Sequence, residues 1–230
     1  MKVILISDTH NQHLHILPDW LDNKDGSIDM IIHAGDISGR GSLREVEDFL
    51  SWYNSLNYKY KIFIPGNHDF WFEKVSAFAV NEMLQEKYPT IIYLHDTNVE
   101  IEGLKFHGSG VTPWFYDWAF NRMGTDICQH WDMIPLDTDV LIVHGGPKHI
   151  GSLNITTRGR SDVGCPYLYE KLSELKQLKL FVQGHIHEGR GTYTFADKQL
   201  FVNASLLNLQ YELVNKPFVI DTEKWEVISS

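Results

Sequence analysis

Five short apolar runs in this chain each end in a residue able to bind a metal. Ile4-Leu5-Ile6 leads into Asp8-Thr9-His10, Met30-Ile31-Ile32 into Gly35-Asp36, and Ile62-Phe63-Ile64 into Gly66-Asn67-His68-Asp69. Leu141-Ile142-Val143 leads into His144, and Leu180-Phe181-Val182 into Gly184-His185-Ile186-His187. Apolar runs this short read as buried strands, which places the carboxylates and imidazoles at strand ends. In open α/β sheets ligands bind beyond the carboxyl ends of the strands. Segments far apart in sequence are therefore expected to deliver Asp, His and Asn side chains to one place, a metal centre.

Helical patterns separate the runs. Ser42-Leu43-Arg44-Glu45 has the form of a capping box, and Val46, Phe49, Leu50 and Tyr53 follow at helical spacing. Residues 74–88 read as a second helix, stopped by Pro89. A third begins at Pro166, with Leu168, Leu172, Leu175 and Leu178 along one face. Strand and helix in alternation predict an α/β fold with a largely parallel sheet. The last forty residues hold short β-like runs at 192–195, 199–202, 218–221 and 225–228, joined by turns such as Ala196-Asp197-Lys198. They are expected to form antiparallel hairpins that close a second sheet against the first. No linker or repeat divides the 230 residues, so residues 1–230 are expected to form one domain.

A formal charge of −10 argues against a sequence-independent grip on nucleic acid. No apolar stretch is long enough to span a bilayer, and residues 3–6 are too short for the core of a signal peptide. Cys128 and Cys165 lack metal spacing and read as reduced thiols of a cytoplasmic protein, either monomer or homodimer.

Asp8 and His10, two positions apart, leave the same face if the strand persists, and so do His185 and His187. Carboxylates mixed with imidazoles suit a borderline first-row cation, Mn²⁺ first, with Fe or Zn²⁺ as alternatives. Mg²⁺ prefers an all-oxygen shell. Asp8, His10, Asp36, Asn67, His144, His185 and His187 are too many for one ion and enough for two that share a carboxylate. Such a pair, ~3.5–4 Å apart, clamps the attacking and leaving oxygens of an in-line displacement and can bring the pKa of water from 15.7 to about 7. His68 is placed to stabilise charge or to protonate a leaving alkoxide, with Asp69 expected to hold its ring. Alone, Asp8-x-His10 is a weak signal, Gly35-Asp36 is a common turn, Asn67 fits a turn or cap, and His185 and His187 fit surface histidines. The reading rests on all five together.

In that order, Asp8-x-His10, Gly35-Asp36, Gly66-Asn67-His68-Asp69, His144 and Gly184-His185-x-His187 resemble the calcineurin-like metallophosphoesterase superfamily. Residues 112–115, 118–120, 139–144, 187–189 and 202–205 are similar to its small single-domain branch. The resemblance implies a four-layer α/β/β/α sandwich with two central mixed sheets and a dinuclear metal site at the carboxyl ends of the strands. It also implies that Asp8, His10 and His187 hold one ion, that Asn67, His144 and His185 hold the other, and that Asp36 bridges them. The loop Gly145-Gly146-Pro147-Lys148-His149 departs from the two prolines and following Asp common in related proteins. The expected activity is hydrolysis of phosphate esters by a hydroxide between two divalent ions. Phosphodiesters such as cyclic nucleotides are preferred over phosphomonoesters and phosphoproteins, and a metal-dependent binding module is the non-enzymatic alternative.

Asn67, His68, Arg40 and Trp114 are the expected substrate contacts. Trp114, Phe115, Tyr116, Trp118 and Phe120 read either as core or as a wall for a nucleobase or aryl group. His33 reads as a core residue, His13, His15, His95, His130 and His149 as surface residues, and His107 as ambiguous. Arg158 and Arg160 mark an expected surface loop.

Overall fold

The computed structural model describes residues 1–196 and 198–230; Asp197, in the expected 196–198 turn, lies outside them. Strand β1 (Lys2–Ile6) shows how the layers arise, because its side chains alternate. Val3 and Leu5 enter one core, while Ile4 and Ile6 enter another on the opposite face. Strands β2 (Met30–His33), β3 (Tyr60–Phe63) and β4 (Ile91–Tyr93) follow β1 in parallel register. A second sheet is built from β5 (Thr97–Ile101), β6 (Leu104–Ser109), β7 (Val140–Val143), β8 (Leu180–Gln183), β9 (Gly191–Phe195) and β10 (Gln199–Asn203). Its order is β9-β10-β8-β7-β6-β5, parallel in the middle and antiparallel at both edges.

Three cores make four layers. Val3, Leu5, Ile32 and Ile62 of the first sheet meet Phe106, Val140, Ile142 and Val182 of the second. Helices α1 (Leu43–Ser55), α2 (Phe70–Lys74) and α3 (Ala77–Lys87) cover the outer face of the first sheet through Phe49, Tyr53, Phe72, Val80 and Leu84. Helices α4 (Cys128–Asp132) and α5 (Pro166–Leu172) cover the second sheet through Trp131, Leu168 and Leu172. The expected α/β/β/α sandwich of two mixed sheets is therefore present. Among the described residues no helix is long and apolar enough to cross a membrane.

Three local expectations are corrected. The last hairpin, β11 (Phe218–Asp221) and β12 (Glu226–Ser229), joins the first sheet beside β1 rather than the second, in register Lys2↔Asp221, and Phe218 and Ile220 enter the inter-sheet core. The helix expected over 74–88 is broken, because Val75 is extended and the Ser76 hydroxyl caps Ala79 N–H at 3.2 Å. The helix from Pro166 stops at Leu172; Leu175 and Leu178 are buried instead through successive three-residue turns.

The capping box of α1 holds as read. Ser42 Oγ accepts from Glu45 N–H at 3.3 Å, and Glu45 Oε2 accepts from Ser42 N–H at 2.6 Å. Glu45 Oε1 also accepts from Asn11 Nδ2 (2.5 Å), Gly39 N–H (3.2 Å) and Arg40 N–H (3.3 Å), tying the helix to the loops after β1 and β2. Burial works against the ionised carboxyl, but these donors, Ser42 N–H first, hold it down at about 2. Glu45→Ala is expected to cost about 1–2 kcal/mol in urea unfolding at pH 7, at least as much as Ser42→Ala. Because the folded-state pKa is lowered, the difference between wild type and Glu45→Ala should be full above about 4.5 and vanish as pH falls toward 2.

Candidate metal centre

The strands end before the ligand residues do, so turns and not the pleat bring the side chains together. Asp8, His10, Asn11, Asp36 and His185 all have left-handed backbone, with φ of 54°, 40°, 65°, 56° and 68°. Such non-glycine conformations cost of order 1–3 kcal/mol each and persist only where the surroundings enforce them. Here Asp8 N–H donates to Gly35 O (3.0 Å), His10 N–H to Asp36 O (3.0 Å) and Asn11 N–H to Ile37 O (3.1 Å), lacing the loop after β1 to the loop after β2. The same-face expectation for Asp8 and His10, and for His185 and His187, is thereby replaced, since neither pair lies on a continuing strand. Gly66 is required by packing, because a Cβ there would overlap the Asp36 amide nitrogen and carboxylate.

Three groups of donor atoms, each mutually within 4.8 Å, share members: Asp8, His10 and His187; His10, Asp36 and His68; Asp8, Asp36 and His144. Asp36 Oδ2 lies 3.5 Å from His10 Nε2 and 3.3 Å from His144 Nε2. His187 Nε2 lies 3.5 Å from Asp8 Oδ1 and 3.3 Å from His10 Nε2. Asn67 Oδ1 is 3.1 Å from His144 Nε2. Donors held ~2.0–2.2 Å from a shared ion at roughly tetrahedral angles sit about 3.3–3.5 Å apart, which is the spacing seen. His144 Nδ1 is paired with Ala34 O (2.8 Å) and His187 Nδ1 with Asn208 O (3.0 Å), so each ring turns Nε2 inward, the orientation that backbone carbonyls impose on metal-binding histidines. The residues present fit divalent cations. His185 stands outside the three groups, its ring 5.2 Å from that of His144.

Charge balance follows from burial. Asp8 and Asp36 are buried, which works against ionisation, but hydrogen bonds and the charges of His187 and His144 outweigh it, and both carboxyls lie well below the usual range. Asp8 accepts His185 N–H (3.0 Å) and the Ser205 hydroxyl, and Asp36 Oδ1 accepts His68 N–H (2.8 Å). Burial lowers His144 and His187, yet Asp36 and Asp8 respectively lift each to about 9. Burial leads for His10 and His185 and takes them down to about 4 and about 3.

Asp69 does not hold the His68 ring, contrary to expectation. Its carboxylate accepts Ile37 N–H (3.2 Å), Ser38 N–H (3.0 Å), Ser38 Oγ (2.6 Å) and Gly66 N–H (2.8 Å), stitching the loops after β2 and β3 together. The ring instead pairs through Nδ1 with Gly39 O at 2.8 Å. Arg40 is exposed in that loop. Trp114, 49% exposed, lines a cavity of about 230 Å³ with Arg122, Met123, Ile127 and Tyr167.

Other aromatics meet the site directly. Trp118 stacks on His68 (centroids 4.3 Å), Phe115 packs on His185 (5.2 Å), and Tyr211 packs on His10 (5.0 Å) and His187 (5.2 Å). Sequence reasoning missed Tyr211, which has no periodic signal, and Ser205. For Ser205 a signal existed, because Leu200-Phe201-Val202 is a sixth apolar run ending in polar residues.

His33 is buried as expected, with Nε2 3.0 Å from Thr9 Oγ1. His15, His149, Arg158 and Arg160 are exposed. His13 and His130 are buried, against expectation: His13 packs on Phe49 and Trp52, and His130 Nδ1 pairs with Asp96 Oδ2 at 2.8 Å.

The family model for calcineurin-like phosphoesterases matches residues 1–202. The chain belongs to this family. Membership implies a metal-dependent phosphoester hydrolase, and the family uses divalent metals. The calcineurin-like phosphoesterase is similar to metallophosphoesterase domain-containing protein 1 of Homo sapiens, at 35% identity over 240 residues, 96% of this chain and 70% of the relative. Its fold matches an archaeal phosphodiesterase (TM-score 0.55, 20% identity, 99% and 97% of the two chains). It also matches a dimetal phosphatase from Danio rerio (TM-score 0.59, 10% identity, 95% and 91%).

Because His144 and His187 hold protons to about 9 in the metal-free protein, a cation that binds their Nε2 atoms must displace those protons. Calorimetric titration with Mn²⁺ at pH 7 in buffers of different ionisation enthalpy should show release of about two protons, and affinity should rise with pH up to about 9. An affinity that stays flat between about pH 6 and about 9 would contradict this charge assignment.

Proposed function

We propose that this chain is a cytoplasmic dinuclear phosphodiesterase, residues 1–230 acting as one domain, with (cyclic) nucleotides among its substrates and Mn²⁺ as the preferred ion ahead of Fe or Zn²⁺. The observation that carries the reading is the convergence of Asp8, Asp36, His10, His144 and His187 donor atoms, with a partly exposed His68 grouped beside His10 and Asp36. Two free thiols, Cys128 and Cys165, suit a reducing compartment.

In this reading Asp8, His10 and His187 would hold one cation and Asn67 and His144 the other, with His185 completing the second set by a turn of its ring and Asp36, which faces both His10 and His144, shared between them. Bound divalent ions withdraw charge from phosphate oxygens and make water acidic enough to supply hydroxide near neutral pH. The chain's own residues do the rest. His68 Nδ1 is committed to Gly39 O, so Nε2 is the nitrogen that meets substrate. From there it donates a hydrogen bond to a phosphate oxygen, or a proton to the departing alkoxide when the ring is charged. Asn67, whose backbone carbonyl is fixed by Ala119 N–H at 3.1 Å, offers a second polar contact to the phosphate. Arg40, exposed in the loop four residues beyond Asp36, is the candidate for a further cationic contact to the phosphate.

A diester is favoured by what surrounds the polar centre. Phe115, Trp118 and Tyr211 border it, and aromatic faces suit the organic arms of a monoanionic diester. A dianionic monoester is better served by several Lys or Arg side chains.

Mn²⁺-loaded protein should therefore hydrolyse bis(4-nitrophenyl) phosphate with a higher kcat/KM than 4-nitrophenyl phosphate. His68→Ala should keep its metals by elemental analysis and lose about 10²–10⁴ in kcat. Full turnover in metal-replete His68→Ala would refute the role given to His68. Tight nucleotide binding without turnover of either ester would turn the reading toward a binding module.

A further inference from the structure

We propose that Trp118 is a positioning residue for His68, holding the imidazole at the angle from which Nε2 meets the substrate. The inference rests on the hydrolytic reading above and gives a second residue to its proton-handling side.

Since Asp69 is spent on loop amides, the restraints on the His68 ring must come from elsewhere. One is the 2.8 Å contact of Nδ1 with Gly39 O, which fixes a point on the ring but leaves it free to swing about that contact. His10 meets the ring at 4.5 Å with planes 82° apart. Trp118 lies along the ring at 4.3 Å with planes 27° apart, and this near-parallel contact removes the remaining swing. The indole is only partly buried, so it is not a core side chain that happens to pass the site.

The backbone keeps indole and imidazole in register. Ala119 N–H, next to Trp118, donates to the carbonyl of Asn67, next to His68, at 3.1 Å. The loop that carries Trp118 is closed at its base, where Thr112–Pro113 pairs with Asn121–Arg122 and Trp114 N–H donates to Arg122 O at 2.9 Å. Glu73 of α2 then anchors the loop, accepting Phe120 N–H at 2.8 Å and Arg122 Nη1 at 3.3 Å. Arg122 Nε donates to His130 Nε2 (3.2 Å), which leaves His130 Nδ1–H to donate to Asp96 Oδ2 (2.8 Å). The half-buried His130–Asp96 pair thus ends a chain of contacts that begins at the loop beside His68.

The test is a double-mutant cycle on bis(4-nitrophenyl) phosphate with Mn²⁺-loaded protein. Trp118→Ala is expected to lower kcat about 10- to 100-fold, as small misplacements of a reacting group do, with a smaller rise in KM from the lost aromatic face and metal content unchanged. Trp118→Phe should restore most of the rate. In a His68→Ala background, Trp118→Ala should cause no further loss. In proton NMR, the His68 ring resonances should move downfield in Trp118→Ala as the indole ring current is lost. Equal losses in both backgrounds, an effect on KM alone, or an unchanged kcat would each overturn the proposal while leaving the hydrolytic reading intact. A fully active His68→Ala, or a wild type inert toward phosphoesters, would instead remove the parent reading and this role with it.

Discussion

Two carboxylates buried side by side, Asp8 and Asp36, set the terms for the rest of the molecule. An ionised carboxylate taken from water costs several kcal/mol unless charges and donors surround it, and like charges nearby add to the cost. Much of the fold around them serves as that surrounding. His187 faces Asp8, and His10 and His144 face Asp36. The remaining lone pairs take His185 N–H and Ser205 Oγ on Asp8 and His68 N–H on Asp36. Without cations the balance falls to protons on His144 and His187; with cations it falls to the metals. The centre is thus a charge-compensated cluster whose compensating species is exchangeable.

Holding it requires the two sheets to stay in fixed relation. Asp8 follows a strand of the first sheet, and its partners His185, His187 and Ser205 follow strands of the second. A bridge between Ser7 and Ser205 and the bond from Leu206 N–H to Ser7 O (3.1 Å) cross the same seam. The apolar core between the sheets supplies the area that keeps this seam shut, on the order of 1.5–3 kcal/mol for each large side chain buried. Asp69 and Glu45 do the corresponding work within the first sheet, each collecting amides from neighbouring loops. Asp69 bears the consequence: burial, then the nearby charge of Asp36, pushes it up to about 6.

What was legible in the sequence was whatever has a local period. The strand ends could be read because apolar runs stop abruptly, and α1 because Ser42, Glu45 and the Val46, Phe49, Leu50, Tyr53 stripe agree on one helix. Choices settled by non-local partners could not be read. Nothing in residues 218–229 says whether their hairpin pairs with β1 or with β10; the register with β1 is decided by which core Phe218 and Ile220 enter. Adjacency in sequence suggests contact between Asp69 and His68, and adjacency is a poor guide here. At the start of α2 the Asp69 carboxylate turns back toward Gly66 and across to Ser38. Lone histidines carry no periodic signal at all, so nothing in the sequence marks His13 and His130 as the buried residues they are.

The aromatic residues bring the polar centre and its chemistry together. Phe115, Trp118 and Tyr211 each lie against an imidazole of the site, and none of the three is fully buried. A ring packed on an imidazole restricts its motion without competing for its nitrogens, which a polar neighbour would do. It also displaces water from one side of the ring, so hydrogen bonds made by the free nitrogen act in a lower dielectric and are stronger for it. The left-handed turns after β1, β2 and β8 aim the donors, and the aromatic faces keep the imidazoles where those turns put them. The same faces are what an approaching organic ester meets first, so the residues that order the site also shape the arm of the substrate that can enter it.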